Sequence, residues 1–238
     1  MRPLIADLHM HSIMSGHAFG TVRELAQAAA QRNLQLIGVT EHGPSIPGTC
    51  DPIYFRNFVD APRLLYGVEM LFGSEVNVLA GGKMDLDDNH LRRLDYAIVG
   101  IHGLCYEDEG IVGNTDNVIA CMENPYVRMV SHPDDNKFPL DYPALVAAAK
   151  EFDVALEVNN ASFRKTWLRP GSYENYCKML PLCAREGVTI AVNTDAHDPG
   201  AVGDFALAAR LLEELDFPEE LILNNDLEKL KAFLKKRA

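Results

Sequence analysis

Seven short apolar runs, separated by helical patterns, constrain the fold of this chain more than any other feature. The runs are Leu4–Met10, Leu34–Thr40, Met70–Val78, Tyr96–Ile101, Val127–Ser131, Val154–Asn159 and Thr189–Asn193. Branched residues dominate them, and in most both alternating faces are apolar, as in parallel strands buried on both sides. Helical periodicity covers Thr21–Arg32, Asn117–Glu123, Asp141–Phe152, Ser172–Glu186, Asp204–Leu215 and Asp226–Lys236, and the first helix opens with Thr21 and Glu24 at capping-box spacing. Such alternation predicts an α/β fold with a parallel sheet, either a closed barrel or an open sheet. The 238 residues suit one αβ barrel. No composition break marks a boundary, so one domain over residues 1–238 is expected. The longest irregular stretch, Gly43–Pro62, reads either as a lid over a site or as a surface insertion.

Composition narrows the function. With 47% apolar and 24% charged residues the chain is an ordinary globular one, which excludes disorder and coiled coil as global descriptions. Its 22 Lys and Arg face 34 Asp and Glu, a net charge of −12 that repels nucleic-acid backbones and makes nucleic acid an unexpected partner. The 5 Cys are odd in number and form no Cys-x-x-Cys, so a reduced, cytoplasmic protein is expected. No apolar run reaches the length of a membrane span, so no membrane partner is expected.

The histidines carry the functional signal. Of 8, all but His90 follow a strand candidate: His9, His11 and His17 after the first, His42 after the second, His102 after the fourth, His132 after the fifth and His197 after the seventh. His90 lies in a charged stretch and reads as a solvated surface residue. Parallel α/β folds place functional loops at the carboxyl ends of their strands, so histidines from five strand ends would meet at one mouth. His9 and His11, two apart on a strand, share a face, and neutral imidazole is a common metal ligand. Glu75 is the lone charge in Phe-Gly-Ser-Glu-Val-Asn-Val, and a buried carboxylate needs a cation or strong hydrogen bonds. Asp195 adds an oxygen two residues before His197. Seven His, one Glu and one Asp exceed the roughly four ligands of a single zinc site. They could serve two or three ions sharing a carboxylate.

In order, Asp-Leu-His-Met-His-Ser, Thr-Glu-His-Gly-Pro, Gly-Ser-Glu-Val-Asn, Gly-Ile-His-Gly, Ser-His-Pro, Glu-Val-Asn-Asn-Ala-Ser-Phe and Thr-Asp-Ala-His resemble the PHP (polymerase and histidinol phosphatase) family, over about residues 3 to 235. The chain looks most similar to the small stand-alone YcdX-like phosphatases. The resemblance implies a distorted seven-stranded (β/α) barrel, TIM-like, with three divalent ions at its mouth, most often zinc, with manganese or iron also compatible. It also implies a homotrimer. By matching motif, His9, His11, Glu75 and Asp195 would hold the first ion. Glu75, His102 and His132 would hold the second, and His17, His42 and His197 the third. The chain departs from the family's pattern at Glu41, where Asp is usual, and at Asp134 and Asp135, where uncharged residues are usual. These departures bear on substrate choice.

Such a site suits hydrolysis. Bound metal lowers the pKa of water to roughly 7, giving hydroxide at neutral pH, and paired ions clamp attacking and leaving oxygens. Neither a Gly-x-Ser-x-Gly nucleophile elbow nor a P-loop is present. The expectation is a metal-dependent phosphoesterase acting on a small phosphorylated substrate, most simply a phosphomonoester. Asp195 could also handle a proton. The stretch Asn159–Tyr173 offers Ser162, Arg164, Lys165, Arg169 and Ser172. Arg169 best matches a family arginine, and its planar fork suits phosphate. Lys137 is a weaker candidate. Asp7 and Glu41 read as residues that orient ligands, and Glu157 either as another or as part of a polar network in the barrel core. The alternatives are a hydrolase of C–N bonds and a non-enzymatic, metal-stabilised interaction module.

Overall fold

The computed structural model describes residues 2–235, so Lys236, the expected end of the last helix, lies outside the described residues. Seven parallel strands pair in chain order: β1 (Ala6–Asp7), β2 (Leu36–His42), β3 (Val68–Leu79), β4 (Ala97–Gly100), β5 (Val127–Val130), β6 (Ala155–Asn159) and β7 (Ile190–Asn193). Just beyond β1 and β7, Met10 bridges to Ala196 in parallel, and Leu8 N donates to Asn193 Oδ1 at 2.9 Å. The sheet is therefore a nearly closed barrel, which decides between the two topologies that the pattern left open. Two-residue strands Leu64–Leu65 and Lys83–Met84 pair antiparallel with β3.

The outer layer contains α1 (Val22–Gln31), α2 (Gly110–Met122), α3 (Tyr142–Glu151), α4 (Ser172–Glu186), α5 (Ala206–Glu214) and α6 (Leu227–Leu234). Helix α1 starts as its sequence requires: Thr21 caps Glu24 N, and the Glu24 carboxylate accepts from Thr21 N at 2.7 Å. Helix α2 begins at Gly110 rather than Asn117. Gly110, Gly113, Asn114 and Thr115 are weak helix formers, but tertiary bonds override that preference. Asn114 accepts from Glu109 N and Tyr106 Oη and donates to Asp108. The first strand is also shorter than expected, because beyond Asp7 its backbone pairs only through isolated contacts such as His11 N to Ala196 O. The Gly43–Pro62 stretch is anchored rather than loose. It forms a short helix, Ile53–Arg56, and buries Phe55 and Phe58, the latter with its ring 5.3 Å from that of Phe72.

Strand parity sorts the core into two clusters. In β3, Met70, Phe72, Val76 and Val78 face the helices, while Leu71 packs on the interior cluster. The same alternation places Glu75 inside. At the amino-terminal end of the interior lie Ala6, Leu8, Leu36, Tyr96, Ile98, Met129, Ala155 and Ala191, closed by Leu230 and Leu234 of α6. Tyr96 crosses this space and donates to Leu8 O at 2.5 Å. Gly38 leaves room for it, since a Cβ there would collide with the Tyr96 hydroxyl.

Candidate metal centre

At the carboxyl end the interior turns polar. Four strands meet this end with buried polar residues on their inward face: Thr40 and His42 of β2, Glu75 and Asn77 of β3, Glu157 and Asn159 of β6, and Asn193 of β7. His9, His11, His42, Glu75, His132 and Asp195 are buried there, and His17, His102 and His197 lie at the mouth. All nine sequence-derived candidates thus come to one place. His90 stands apart, bonded to Asp87 at 2.6 Å with a mostly covered side chain rather than a solvated one.

The donor atoms lie close together. His9 Nε2 lies 3.1 Å from His11 Nε2, 3.2 Å from Glu75 Oε2 and 3.6 Å from Asp195 Oδ1. His11 Nε2 lies 3.4 Å from that Glu75 oxygen and 3.3 Å from that Asp195 oxygen. A tetrahedral ion with bonds of about 2.0–2.1 Å requires donor–donor edges of about 3.3–3.4 Å. The edges among His9, His11 and Asp195, and those from His9 and His11 to Glu75, run from 3.1 to 3.6 Å, close to that size. His42 Nδ1 and Glu75 Oε2 sit 3.0 Å apart, yet neither has a hydrogen-bond partner, because they are aimed past one another. Two buried atoms left without hydrogen-bond partners fit ligation of cations.

Glu75 Oε1, the other oxygen of that carboxylate, lies 2.8 Å from His132 Nε2 and 3.4 Å from His102 Nε2. His17 Nε2 and His197 Nε2 are 3.1 Å apart, and the His17 ring stacks on His42 at 5.0 Å. Three metal-capable groups emerge among the described residues: His9, His11 and Asp195; His42, Glu75 and His102; and His11, His42 and His197. His42 thus faces two of them.

Electrostatics agrees with the donor chemistry. Burial pushes His42, His102, His197 and His17 below the usual imidazole pKa, His197 to about 3, which keeps their lone pairs free. Burial disfavours charge on His9 as well, but Glu157, Glu75 and Asp195 outweigh it and hold His9 well above its usual value. Burial opposes ionisation of Glu75 and Asp195, but His9 and its neighbours, with Arg169 beside Asp195, hold both well below the carboxylate range. The cluster of carboxylates calls for positive charge at its centre.

Supporting residues fix the ligands. Glu157 Oε1 meets His9 Nδ1 at 2.8 Å, and Glu157 Oε2 accepts from His132 N at 2.7 Å. His132 and Asp195 both have left-handed backbones, φ 30° and 49°. Such conformations persist at non-glycine residues only where the surroundings impose them. Glu157 supplies this at His132. At Asp195 it is Asp7, which accepts from Thr194 N and, at 2.5 Å, from Thr194 Oγ1. Burial raises the Asp7 pKa to about 6. Glu41 binds the Ser12 and Ser15 hydroxyls, and Ser15 Oγ lies 3.0 Å from His11 Nδ1.

Sequence reasoning did not single out Ser15, Asn77, Ser131 or Asn159. Asn77 Oδ1 meets His102 Nδ1 at 2.7 Å, Ser131 Oγ donates to Glu75 Oε1 at 2.8 Å, and Asn159 Nδ2 donates to Asp195 Oδ2 at 3.2 Å. Asn77 and Asn159 stand two residues after Glu75 and Glu157, so the period of a strand held that signal.

Arg169 reaches the centre. Its guanidinium donates to Asp195 Oδ2 at 3.0 Å and Ser162 Oγ at 3.2 Å, and it lines a cavity of about 560 Å3 that opens over His102, His132 and His197. Lys165 and Lys137 line that cavity too, with Lys137 Nζ bound to Leu168 O at 2.6 Å. Arg164 turns away and pairs with Asp204. The hydroxyl of Ser172 donates to Arg169 O. No cysteine sits in the centre, and all five are unpaired.

Residues 7–164 match the PHP domain. A probable phosphatase of Acetivibrio thermocellus is 38% identical over 98% of this chain and 96% of its own. One of Caldanaerobacter subterraneus subsp. tengcongensis is 41% identical over 98% and 92%. A Lactococcus lactis histidinol phosphate phosphatase, solved with zinc, L-histidinol and phosphate, shares the fold with a TM-score of 0.63 at 18% identity, over 90% of this chain and 95% of its own. Among the described residues no helix is long and apolar enough to cross a membrane.

Proposed function

The chain belongs to the PHP domain family, and from that premise we propose that it is a metal-dependent phosphomonoesterase with three ions at the barrel mouth. The observation that carries this reading is the donor set: buried imidazole and carboxylate atoms gathered in three groups at distances that could hold ions, with Glu75 presenting one oxygen to His9 and His11 and the other to His132. In the proposed assignment His9, His11, Glu75 and Asp195 hold the first ion, Glu75, His102 and His132 the second, and His17, His42 and His197 the third. Nitrogen and oxygen donors without thiolate suit zinc and also manganese or iron. When bound, such ions supply a water acidic enough to attack at neutral pH and neutralise phosphoryl charge.

The remaining work falls to the chain's own side chains. Arg169, held by Asp195 and Ser162, spends only part of its five donors and has N–H groups left for non-bridging phosphate oxygens. Asp195 Oδ2 is engaged by Arg169 and Asn159, so ligation and any proton handling fall to Oδ1. Of these roles the geometry best supports ligation. Glu157, Asp7 and Glu41 hold the ligand geometry in advance of substrate.

Elemental analysis of gently purified protein, paired with a screen of phosphomonoesters, amides and lactams, tests this reading. The expected result is more than one metal equivalent per chain and turnover confined to phosphoesters. One equivalent or less with full activity would remove the trinuclear centre. Amide or lactam turnover would favour a C–N hydrolase, and tight metal without turnover a metal-stabilised interaction module.

A further inference from the structure

The cavity over the metal centre is far larger than a phosphate group needs, and much of its wall is carbon. Phe19, Ile46, Ile101, Leu104, Phe138 and Leu168 contribute to them, from loops after five different strands. Arg169, Lys165, Lys137 and Asp135 line the same cavity. Arg169 is bound to Asp195, and Lys165 lies close enough to His197 to act on its charge. Lys137 is tied to a backbone carbonyl.

Two of the apolar residues are held out in water. Phe19 is 79% exposed and Leu104 71% exposed. Neither is there by default. Phe19 N donates to His197 O at 2.8 Å, which fixes it beside a ligand, and Leu104 rides a turn closed by Cys105 N and His102 O at 3.0 Å. Gly103, in the same turn, leaves clearance for the Phe138 ring, which a Cβ would approach to 3.2 Å. Exposed apolar side chains continuous with a polar anchoring site fit an amphiphilic ligand. A sugar hydroxyl set against these walls would exchange hydrogen bonds with water for contact with carbon.

We propose that the substrates are phosphomonoesters whose alcohol part is apolar, aliphatic or ring-bearing, seated on the Phe19–Leu104–Phe138 wall while the phosphate faces the metal centre. The proposal rests on the phosphatase reading above. It makes the apolar wall the specificity element and the metal centre the reactive one.

The test uses metal-loaded enzyme and primary alkyl phosphates, whose leaving groups have similar intrinsic reactivity: ethyl, butyl and hexyl phosphate, with glycerol 1-phosphate as the polar comparison. Full burial of a methylene corresponds to about fourfold in kcat/KM. With partial burial, hexyl phosphate is expected to exceed ethyl and glycerol phosphates by about tenfold to a hundredfold. In Phe19→Asn/Leu104→Asn, both positions being exposed and the fold insensitive to them, hexyl phosphate should lose about tenfold more than ethyl phosphate. A flat series, a preference for glycerol phosphate, or an unchanged slope in the double variant would overturn the proposal. Calorimetry with hexylphosphonate and ethylphosphonate, which cannot be hydrolysed, reads the wall without turnover. Tighter hexylphosphonate binding with a more negative heat-capacity change is expected. Preferential hexylphosphonate binding without phosphoester turnover would remove the phosphatase reading and leave the wall standing. Turnover with equal phosphonate affinities would do the reverse.

Discussion

The two ends of the barrel interior are made by the same strands and obey different rules. At the amino-terminal end Leu8, Leu36, Tyr96, Ile98 and Met129 fill the space by packing, and α6 closes it. Arg128, buried next to Met129 on β5, is matched within the protein except at Nη1, which has no hydrogen-bond partner. It donates to Phe233 O at 2.9 and 2.6 Å and to Asp153 at 2.8 Å, and its guanidinium lies 4.4 Å over the Phe233 ring. At the carboxyl end the buried carboxylates and imidazoles are matched only in part, and His42 Nδ1 and Glu75 Oε2 have no hydrogen-bond partner. One end is held chiefly by apolar packing; the other gathers imidazole and carboxylate atoms in groups that could hold ions. Changes at the mouth should therefore alter metal content and rate with little effect on folding, and changes at the base should do the opposite.

The largest expected effect is at Glu75. Glu75→Gln should release more than one metal equivalent by elemental analysis and slow phosphoester turnover by about a thousandfold or more, since several kcal/mol of charge stabilisation are lost at tenfold per 1.36 kcal/mol. Circular dichroism should still report a folded barrel. Near-normal turnover would take Glu75 out of the centre. Chelation of the wild-type protein should reproduce the loss, with activity restored on adding metal back.

Next comes Arg128→Ala at the base. Loss of its charged hydrogen bonds and of the Phe233 contact should destabilise by about 2–3 kcal/mol, a fall in Tm of about 5–10 °C. Metal content and kcat/KM should be unchanged. A loss of metal in this variant would show that the two ends are coupled.

Arg169→Ala tests the mouth without removing a ligand, since its contact is with Asp195 Oδ2 and ligation is assigned to Oδ1. A charge-assisted hydrogen bond contributes roughly 1.5–3 kcal/mol, so kcat/KM should fall about tenfold to a hundredfold at constant metal content. Arg169→Lys should recover only part, because a point charge lacks the fork. Unchanged kinetics would move the phosphate anchor to Lys165 or Lys137.

The smallest effect is expected at Ser15→Ala. It removes the hydroxyl between Glu41 and His11, and such ligand-orienting contacts are worth at least about tenfold in metal affinity or activity. A competition titration against a metal-binding dye should show that weakening, with the melting temperature nearly constant.

The sequence by itself determined the seven strands, the capping of α1 and the placement of histidines at strand ends, because each depends on local periodicity and side-chain type. It also marked Glu75, a lone charge in an apolar strand, and the nine candidate ligands do meet at one mouth. Tertiary structure decided which donors face which. His9 meets Glu157 across 148 residues and Glu75 meets His132 across 57, and those encounters exist only once the barrel closes. It also decided that His132 and Asp195 adopt left-handed backbones, that Arg169 turns inward while Arg164 pairs with Asp204, and that α2 begins at Gly110. In each case contacts between residues distant in sequence make the choice, at His132 and Asp195 against the local backbone preference.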